Sequence, residues 1–371
     1  MKEHYFFTEK MTVGYHGKPL IKKIEIDLPK GKILTLIGPN GAGKSTILKS
    51  IARQLELIDG AIYLSQKSFM DMKREELAKK MSVVFTEKIK TEMMTCEEVV
   101  STGRYPYTGR FGLLSREDER IVKESMKLVQ VTEIRNEEFE KVSDGQKQRV
   151  MLARAMCQEP EVIILDEPTS YLDIKFKLEF LSILQEMRQK KGLTVIMSLH
   201  ELELAQRVSD KILCVKGDYI ERYGTPEEIF TPGYIKKLFD IHVGSFDEEN
   251  GSMELEKSKE EAKIFVIAGG GSGKNTYRML QRKGKAFVTG ILYENDLDCP
   301  AARALAQNCL IAEAFEPIEK QLIDEAKARI DDCQTVICCK ENFGTFERAN
   351  QELLEYAKRN GKEIKRLIQS R

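Results

Sequence analysis

No stretch of this 371-residue chain approaches the ~18 consecutive apolar residues that a bilayer-crossing helix requires. Work at a membrane would therefore need another chain to do the spanning. The opening MKEHYFFTEK lacks the apolar core of a signal peptide, so no secretory leader is expected. A surplus of either charge is also missing. With 59 basic and 59 acidic residues, no net field draws the whole protein to nucleic acid or to an anionic membrane, and partners must be recognised locally. Paired C-x-x-C spacings are absent among the eight cysteines; the only close pair, Cys338 and Cys339, is unsuited to a metal clamp or a disulfide framework. Reduced thiols in the cytosol are the simple reading.

The length itself exceeds what one core usually supports, so two domains are expected. The joint is the charged, glycine-containing and apolar-poor stretch VGSFDEENGSMELEKSKEEA, within which MELEKSKEEAK could also form a short exposed helix. The expected division is a domain over residues 1–243, a linker over 244–262 and a smaller domain over 263–371. Upstream, the short apolar strands ILTLIG, EVIILD, TVIMS and KILCV alternate with helical stretches; downstream, IFVIAG, AFVTGIL and TVICC do the same. Both halves read as α/β with largely parallel sheets.

The segment Gly38-Pro39-Asn40-Gly41-Ala42-Gly43-Lys44-Ser45-Thr46 satisfies G-x-x-x-x-G-K-[ST] at every required position, between an apolar strand and the helical TILKSIARQL. Its glycines let backbone amides close on phosphates, Lys44 reaches the β/γ-phosphates, and Ser45 can ligate Mg²⁺. A phosphate loop alone does not imply hydrolysis. The strand Val162-Ile163-Ile164-Leu165 supplies the rest by ending in Asp166, placed to hold Mg²⁺, and Glu167, placed to orient and deprotonate water.

Between these elements, Ser143-Asp144-Gly145-Gln146 precedes a helix that turns Val150, Ala153 and Cys157 to one face. A capped amphipathic helix would account for that pattern by itself. Together with the phosphate loop and the acidic strand end, however, it resembles the signature of ABC-transporter ATPases, a variant of Leu-Ser-Gly-Gly-Gln. The resemblance covers about residues 5–243. It implies that Tyr15 stacks on adenine, that Ser170-Tyr171-Leu172-Asp173 is the D-loop, and that His200 is the switch histidine. It also implies a homodimer, because in this family the signature of one subunit closes over the γ-phosphate held by the other. The segment Gly103-Arg104-Tyr105-Pro106-Tyr107-Thr108-Gly109, with the later TPEEIFTPGYIKKLF, is similar to the importers of ferric siderophores, haem and cobalamin. A loop with a surface helix is the plain alternative for that segment.

The expected fold is therefore an ABC-type P-loop ATPase domain followed by a smaller Rossmann-like α/β domain. ATP and Mg²⁺ are the implied cofactors. The implied partners are membrane permease subunits and, indirectly, an extracytoplasmic substrate-binding protein, with no nucleic acid, and the implied place is the cytoplasmic face of the membrane. A soluble ABC ATPase working on nucleic acid or ribosomes is the alternative; the second ATPase unit, coiled-coil insertion or basic arm usual in that class is not visible. One departure stands out: Thr86-Glu87 occupies the place of the family's glutamine after MSVVF.

A second glycine loop, Gly269-Gly270-Gly271-Ser272-Gly273-Lys274, fails both as a phosphate-loop motif and as a dinucleotide fingerprint, and no downstream strand ends in an acid pair. One engine is expected. So many glycines suggest close approach of a ligand to the backbone, with Glu294 a candidate for a ribose hydroxyl. Phosphate binding, another small ligand, and a structural or dimerising role all remain open.

Overall fold

The structure is a computed structural model that describes residues 4–85, 91, 93–109, 112–170, 172–249 and 251–367. It forms two compact units, residues 1–239 and 240–371. Among the described residues no helix is long and apolar enough to cross a membrane.

The first unit begins with strands β1 (Phe6–Tyr15), β2 (Lys18–Ile24) and β3 (Asp27–Leu28). Then come β4 (Ile33–Ile37), β5 (Asp59–Leu64), β6 (Lys67–Ser68) and β7 (Met81–Val84), followed by β8 (Val162–Asp166), β9 (Thr194–Ser198), β10 (Lys211–Lys216) and β11 (Tyr219–Gly224). β11-β10-β4-β9-β8-β7 form a sheet that is parallel except for the β10/β11 hairpin. Every residue of β4, β8 and β9 is buried, which is why these strands read as uninterrupted apolar runs.

The sequence reading missed the second layer, an antiparallel sheet ordered β2-β1-β5-β6 with β3 on β1. Its strands mix buried and exposed positions without a regular period and are interrupted by register shifts, so they lack the continuous apolar signal of the parallel strands.

The second unit opens with a hairpin, β12 (Ser245–Asp247) with β13 (Ser252–Glu254), where solvated linker was expected. Polar side chains tie this segment down: Glu254 accepts from Arg278 Nε at 3.0 Å, and Ser258 Oγ donates to the Gly284 carbonyl at 2.7 Å. The helix considered for MELEKSKEEAK does not form. The sheet then comprises β14 (Ile264–Ile267), β15 (Val288–Tyr293), β16 (Asn308–Ala312), β17 (Thr335–Cys338) and β18 (Glu363–Arg366). All are parallel, in the spatial order β16-β15-β14-β17-β18. Counted from the first strand of this sheet, this is the Rossmann order 3-2-1-4-5, with the reversal between β14 and β17.

Separate cores lie on the two faces of this sheet. One contains Tyr277, Leu280, Ala302 and Leu305; the other contains Ile330, Leu353, Leu354 and Ala357. Tyr277 is fully buried, stacks on Phe287 with ring centroids 5.1 Å apart, and bonds Thr289 Oγ1 at 2.7 Å. Gly273 lies against it: a Cβ there would come within 2.6 Å of both the Tyr277 ring and Ala268 Cβ. Gly273→Ala should therefore destabilise this unit by about 1–3 kcal/mol, the scale of overpacking, read as a lower denaturation midpoint. An unchanged midpoint would contradict this packing.

Candidate functional site

β4 delivers the chain into the first glycine loop, and the loop's conformation demands glycine. Gly38, Gly41 and Gly43 have φ of 148, 78 and 96°, and a Cβ on Gly38 would sit 2.1 Å from the Val215 carbonyl oxygen. The helix Lys44–Ile51 starts directly from Gly43, so its unpaired amides face the loop. Lys44 is 5% exposed, and its ammonium donates to the carbonyls of Gly38 at 2.7 Å and Pro39 at 3.1 Å. Burial lowers its pKa, while the nearby Glu167 and Asp166 carboxylates oppose that shift.

β8 and β9 bring in the acids. Ser198 Oγ, at the end of β9, donates to Asp166 Oδ1 at 2.6 Å and accepts from the Glu167 amide at 2.9 Å, fixing both residues where β8 stops. Glu167 has φ of 49°, a conformation uncommon for a non-glycine residue. Its carboxylate lies 2.5 Å from His200 Nε2 and accepts from Ser170 Oγ at 3.3 Å. Tyr15, at the end of β1, is half exposed and bonds Thr46 Oγ1 through its hydroxyl at 3.0 Å.

Tyr15, Asn40, Gly41, Gly43, Lys44, Ser45, Thr46, Glu167 and His200 line one cavity of about 460 Å³. Residues far apart in sequence thus converge around a space bounded by an anion-accepting loop on one side and a carboxylate–histidine pair on the other. Asp166 stands behind it. A serine hydroxyl and a carboxylate anchored by Ser198 are hard oxygen donors that suit Mg²⁺, which is usually held by one or two protein groups and by substrate phosphates.

Ser143-Asp144-Gly145-Gln146 is not among the residues lining that cavity. It is a capping box: Ser143 Oγ accepts from the Gln146 amide at 3.3 Å and Gln146 Oε1 accepts from the Ser143 amide at 2.9 Å, starting the helix Asp144–Cys157. Asp173 caps the helix Ile174–Lys191 by accepting from the Phe176 amide at 2.9 Å. Tyr171 of the expected D-loop, and Thr86 and Glu87 at the place of the missing glutamine, lie outside the described residues.

Two connectors escaped the sequence reading because each carries only an ordinary polar side chain. Gln148 Nε2, on the signature helix, donates to the Pro168 carbonyl at 3.2 Å, immediately after the acids. Glu201, next to His200, accepts from Thr169 Oγ1 at 2.9 Å and from Lys177 Nζ at 2.6 Å.

In the Gly103–Gly109 segment, Arg104 proves to be a buried tie. Its guanidinium donates to Asp118 at 2.8 Å, to the Cys157 carbonyl at 2.8 Å and to Glu159 at 3.0 Å. A Cβ on Gly103 would lie 2.2 Å from the Arg154 carbonyl oxygen, so this segment is pressed directly onto the signature helix.

Three amides of the second glycine loop are taken by the protein's own carboxylates, Asp296 on Gly270 and Asp298 on Gly273 and Lys274, and the Gly269 amide donates to Ser272 Oγ at 3.2 Å. Glu294, the ribose candidate, accepts from the Ala314 amide at 3.3 Å.

Comparison with known proteins places this geometry. Residues 21–170 match the ABC transporter family, and residues 287–371 match the MJ0874 family. An uncharacterized ABC transporter ATP-binding protein of Methanocaldococcus jannaschii is 41% identical over 286 residues, 77% of this chain and 99% of that protein. The iron(3+)-hydroxamate import ATP-binding protein FhuC of Bacillus subtilis is 38% identical over 234 residues, 63% of this chain and 87% of that one. Among solved structures, a dimeric ATP-binding cassette in a post-hydrolysis state with ADP and Pi matches with a TM-score of 0.53 and 25% identity, covering 59% of this chain and 98% of the other.

Proposed function

The chain belongs to the ABC-transporter ATP-binding family and is an ATPase, and from that premise we propose that it powers import of a metal chelate of the iron-siderophore, haem or cobalamin kind. The observation that carries the catalytic part is the convergence of Lys44, Glu167 and His200 on one cavity with the phosphate loop. The relative named for iron(3+)-hydroxamate import supports the substrate class.

In this reading Tyr15 receives the adenine and residues Gly38 to Thr46 receive the phosphates. Lys44 exchanges its present carbonyl partners for phosphate oxygens. Glu167 accepts the proton of the attacking water, and His200, 2.5 Å from that carboxylate, holds it in place. Ser45 and Asp166 would hold Mg²⁺, whose chemistry is to neutralise charge on the phosphate oxygens. The cavity of one chain lacks the signature residues, which supports a homodimer in which Ser143, Gly145 and Gln146 complete the partner's site and Asp173 lies at the junction. Permease subunits on other chains would span the membrane, with this chain peripheral on its cytoplasmic face.

The test is co-expression with a cognate permease, followed by fractionation and reconstitution into vesicles. The chain should sediment with membranes only when the permease is present, and its ATPase should rise several-fold with one metal chelate on its binding protein. Sedimentation with ribosomes, with ATPase that responds to RNA instead, would sink this reading in favour of the soluble alternative.

A further inference from the structure

The loop Gly269–Lys274 stands where open α/β sheets take their ligands, beyond the carboxyl end of β14 and beside the reversal of strand order. Three of its amides are nonetheless engaged by carboxylates. The Gly270 amide donates to Asp296 at 2.8 Å, and the amides of Gly273 and Lys274 donate to the two oxygens of Asp298 at 2.9 Å each. The Asp298 amide in turn donates to Asp296 at 2.8 Å, so the two acids form one braced unit. Asp298 is fully buried, whereas Asp296 is partly exposed.

The loop's own backbone calls for glycine. Gly269, Gly270 and Gly271 have φ of 143, 65 and 85°, and a Cβ on Gly269 would in addition press within 3.3 Å of Asp296 Oδ2 and Glu347 Oε1, whereas one on Gly270 or Gly271 would make only ordinary contacts. Gly273 is pressed on Tyr277. Lys340 also bonds the Gly269 carbonyl at 3.2 Å and pairs with Glu347. The first loop differs in the decisive respect: among the described residues no carboxylate accepts from its amides.

We propose that the second loop is an anion nest closed from within, its amides held by Asp296 and Asp298 so that this unit takes no phosphate-bearing ligand while both acids are in place. Asp298 is the fixed part, capping the helix Lys274–Arg282 from a buried position. Asp296 is the displaceable part: it is reachable from solvent and its charge opposes an incoming anion.

The experiment is calorimetric titration of the full chain with inorganic pyrophosphate, in a Lys44→Ala background that silences the first loop. Because loss of Asp298 threatens the helix it caps, the variant is Asp296→Ala. It should bind pyrophosphate about tenfold or more tightly than its parent, the scale of removing one repulsion and freeing the Gly270 amide, one of the two that Asp296 holds, for a charge-assisted hydrogen bond. Adding Lys274→Ala should reverse that improvement. The proposal is overturned if the parent already binds pyrophosphate in a Lys274-dependent way, or if Asp296→Ala binds no more tightly than its parent.

Discussion

Glu167→Gln is expected to bind ATP normally while hydrolysis falls by about two orders of magnitude or more, the contribution of a general base. The substitution keeps the shape of the side chain and its reach to Ser170 and His200, so the cavity should survive. What it removes is the proton-accepting oxygen facing the space beyond Lys44. The variant should then accumulate as an ATP-bound dimer, visible as a doubled mass in size-exclusion chromatography with light scattering. Lys44→Ala should fail earlier, at nucleotide binding, because it removes the cation of the loop. Turnover by Glu167→Gln within tenfold of wild type would refute the assignment of the base. A monomeric ATP-bound variant would leave the base intact and count against the homodimer.

Arg104→Met should cost about 3–5 kcal/mol, the penalty for leaving one partner of a buried ion pair without the other. The side chains of Arg104 and Asp118 are only 5% and 9% exposed. Asp118 would keep its bonds to Ser115, whose hydroxyl donates at 2.6 Å, but its charge would lose its buried counter-ion. The ring of Tyr107, 4.0 Å beneath the guanidinium, would lose its cation as well. Arg104→Met with Asp118→Asn should recover most of the loss, since no lone charge is then buried and the amide oxygen can still accept from Ser115. The measurement is chemical denaturation, following the transition that ATP shifts and which therefore reports the first unit. A loss below about 1 kcal/mol would place the pair among surface ion pairs. A double variant as unstable as the single one would show that packing, not charge, is what Arg104 supplies.

What the sequence made legible was what the backbone itself has to do. The first glycine loop, the strand ending in Asp166 and Glu167, and the helix after Ser143 each combine unusual residues with a period, and all three were placed from sequence. Strand β7 and most parallel strands of both units were readable because burial on two faces leaves unbroken apolar runs. The antiparallel sheet was not, because β2 buries only Ile21 and Ile24 and shifts register against β1. Strands β16 and β18 were missed for related reasons: β16 includes Asn308 and Cys309, and β18, an edge strand reading Glu-Ile-Lys-Arg, buries almost nothing. Arg104 looked like part of a surface loop because its partners, Asp118 and Glu159, are 14 and 55 positions away. The second glycine loop misled in a more instructive way. Close approach by a ligand, crowding by the protein's own side chains and a left-handed backbone all impose the same glycine requirement, and here Asp296 and Glu347 beside Gly269, Ala268 and Tyr277 beside Gly273, and positive φ at Gly270 and Gly271 account for it.

The capping box at Ser143 divides one hydroxyl between two tasks. An alcohol oxygen offers lone pairs and a single hydrogen. Starting the helix consumes a lone pair, through the Gln146 amide, and the hydrogen finds no acceptor among the described residues. The oxygen is therefore held in place by an interaction made within one chain, while the hydrogen can still turn about the Cβ–Oγ bond. In the proposed homodimer, helix formation and closure over a neighbour's phosphate would draw on different parts of the same atom. The entropy of placing that oxygen would then be lost once, at folding, instead of in every catalytic cycle.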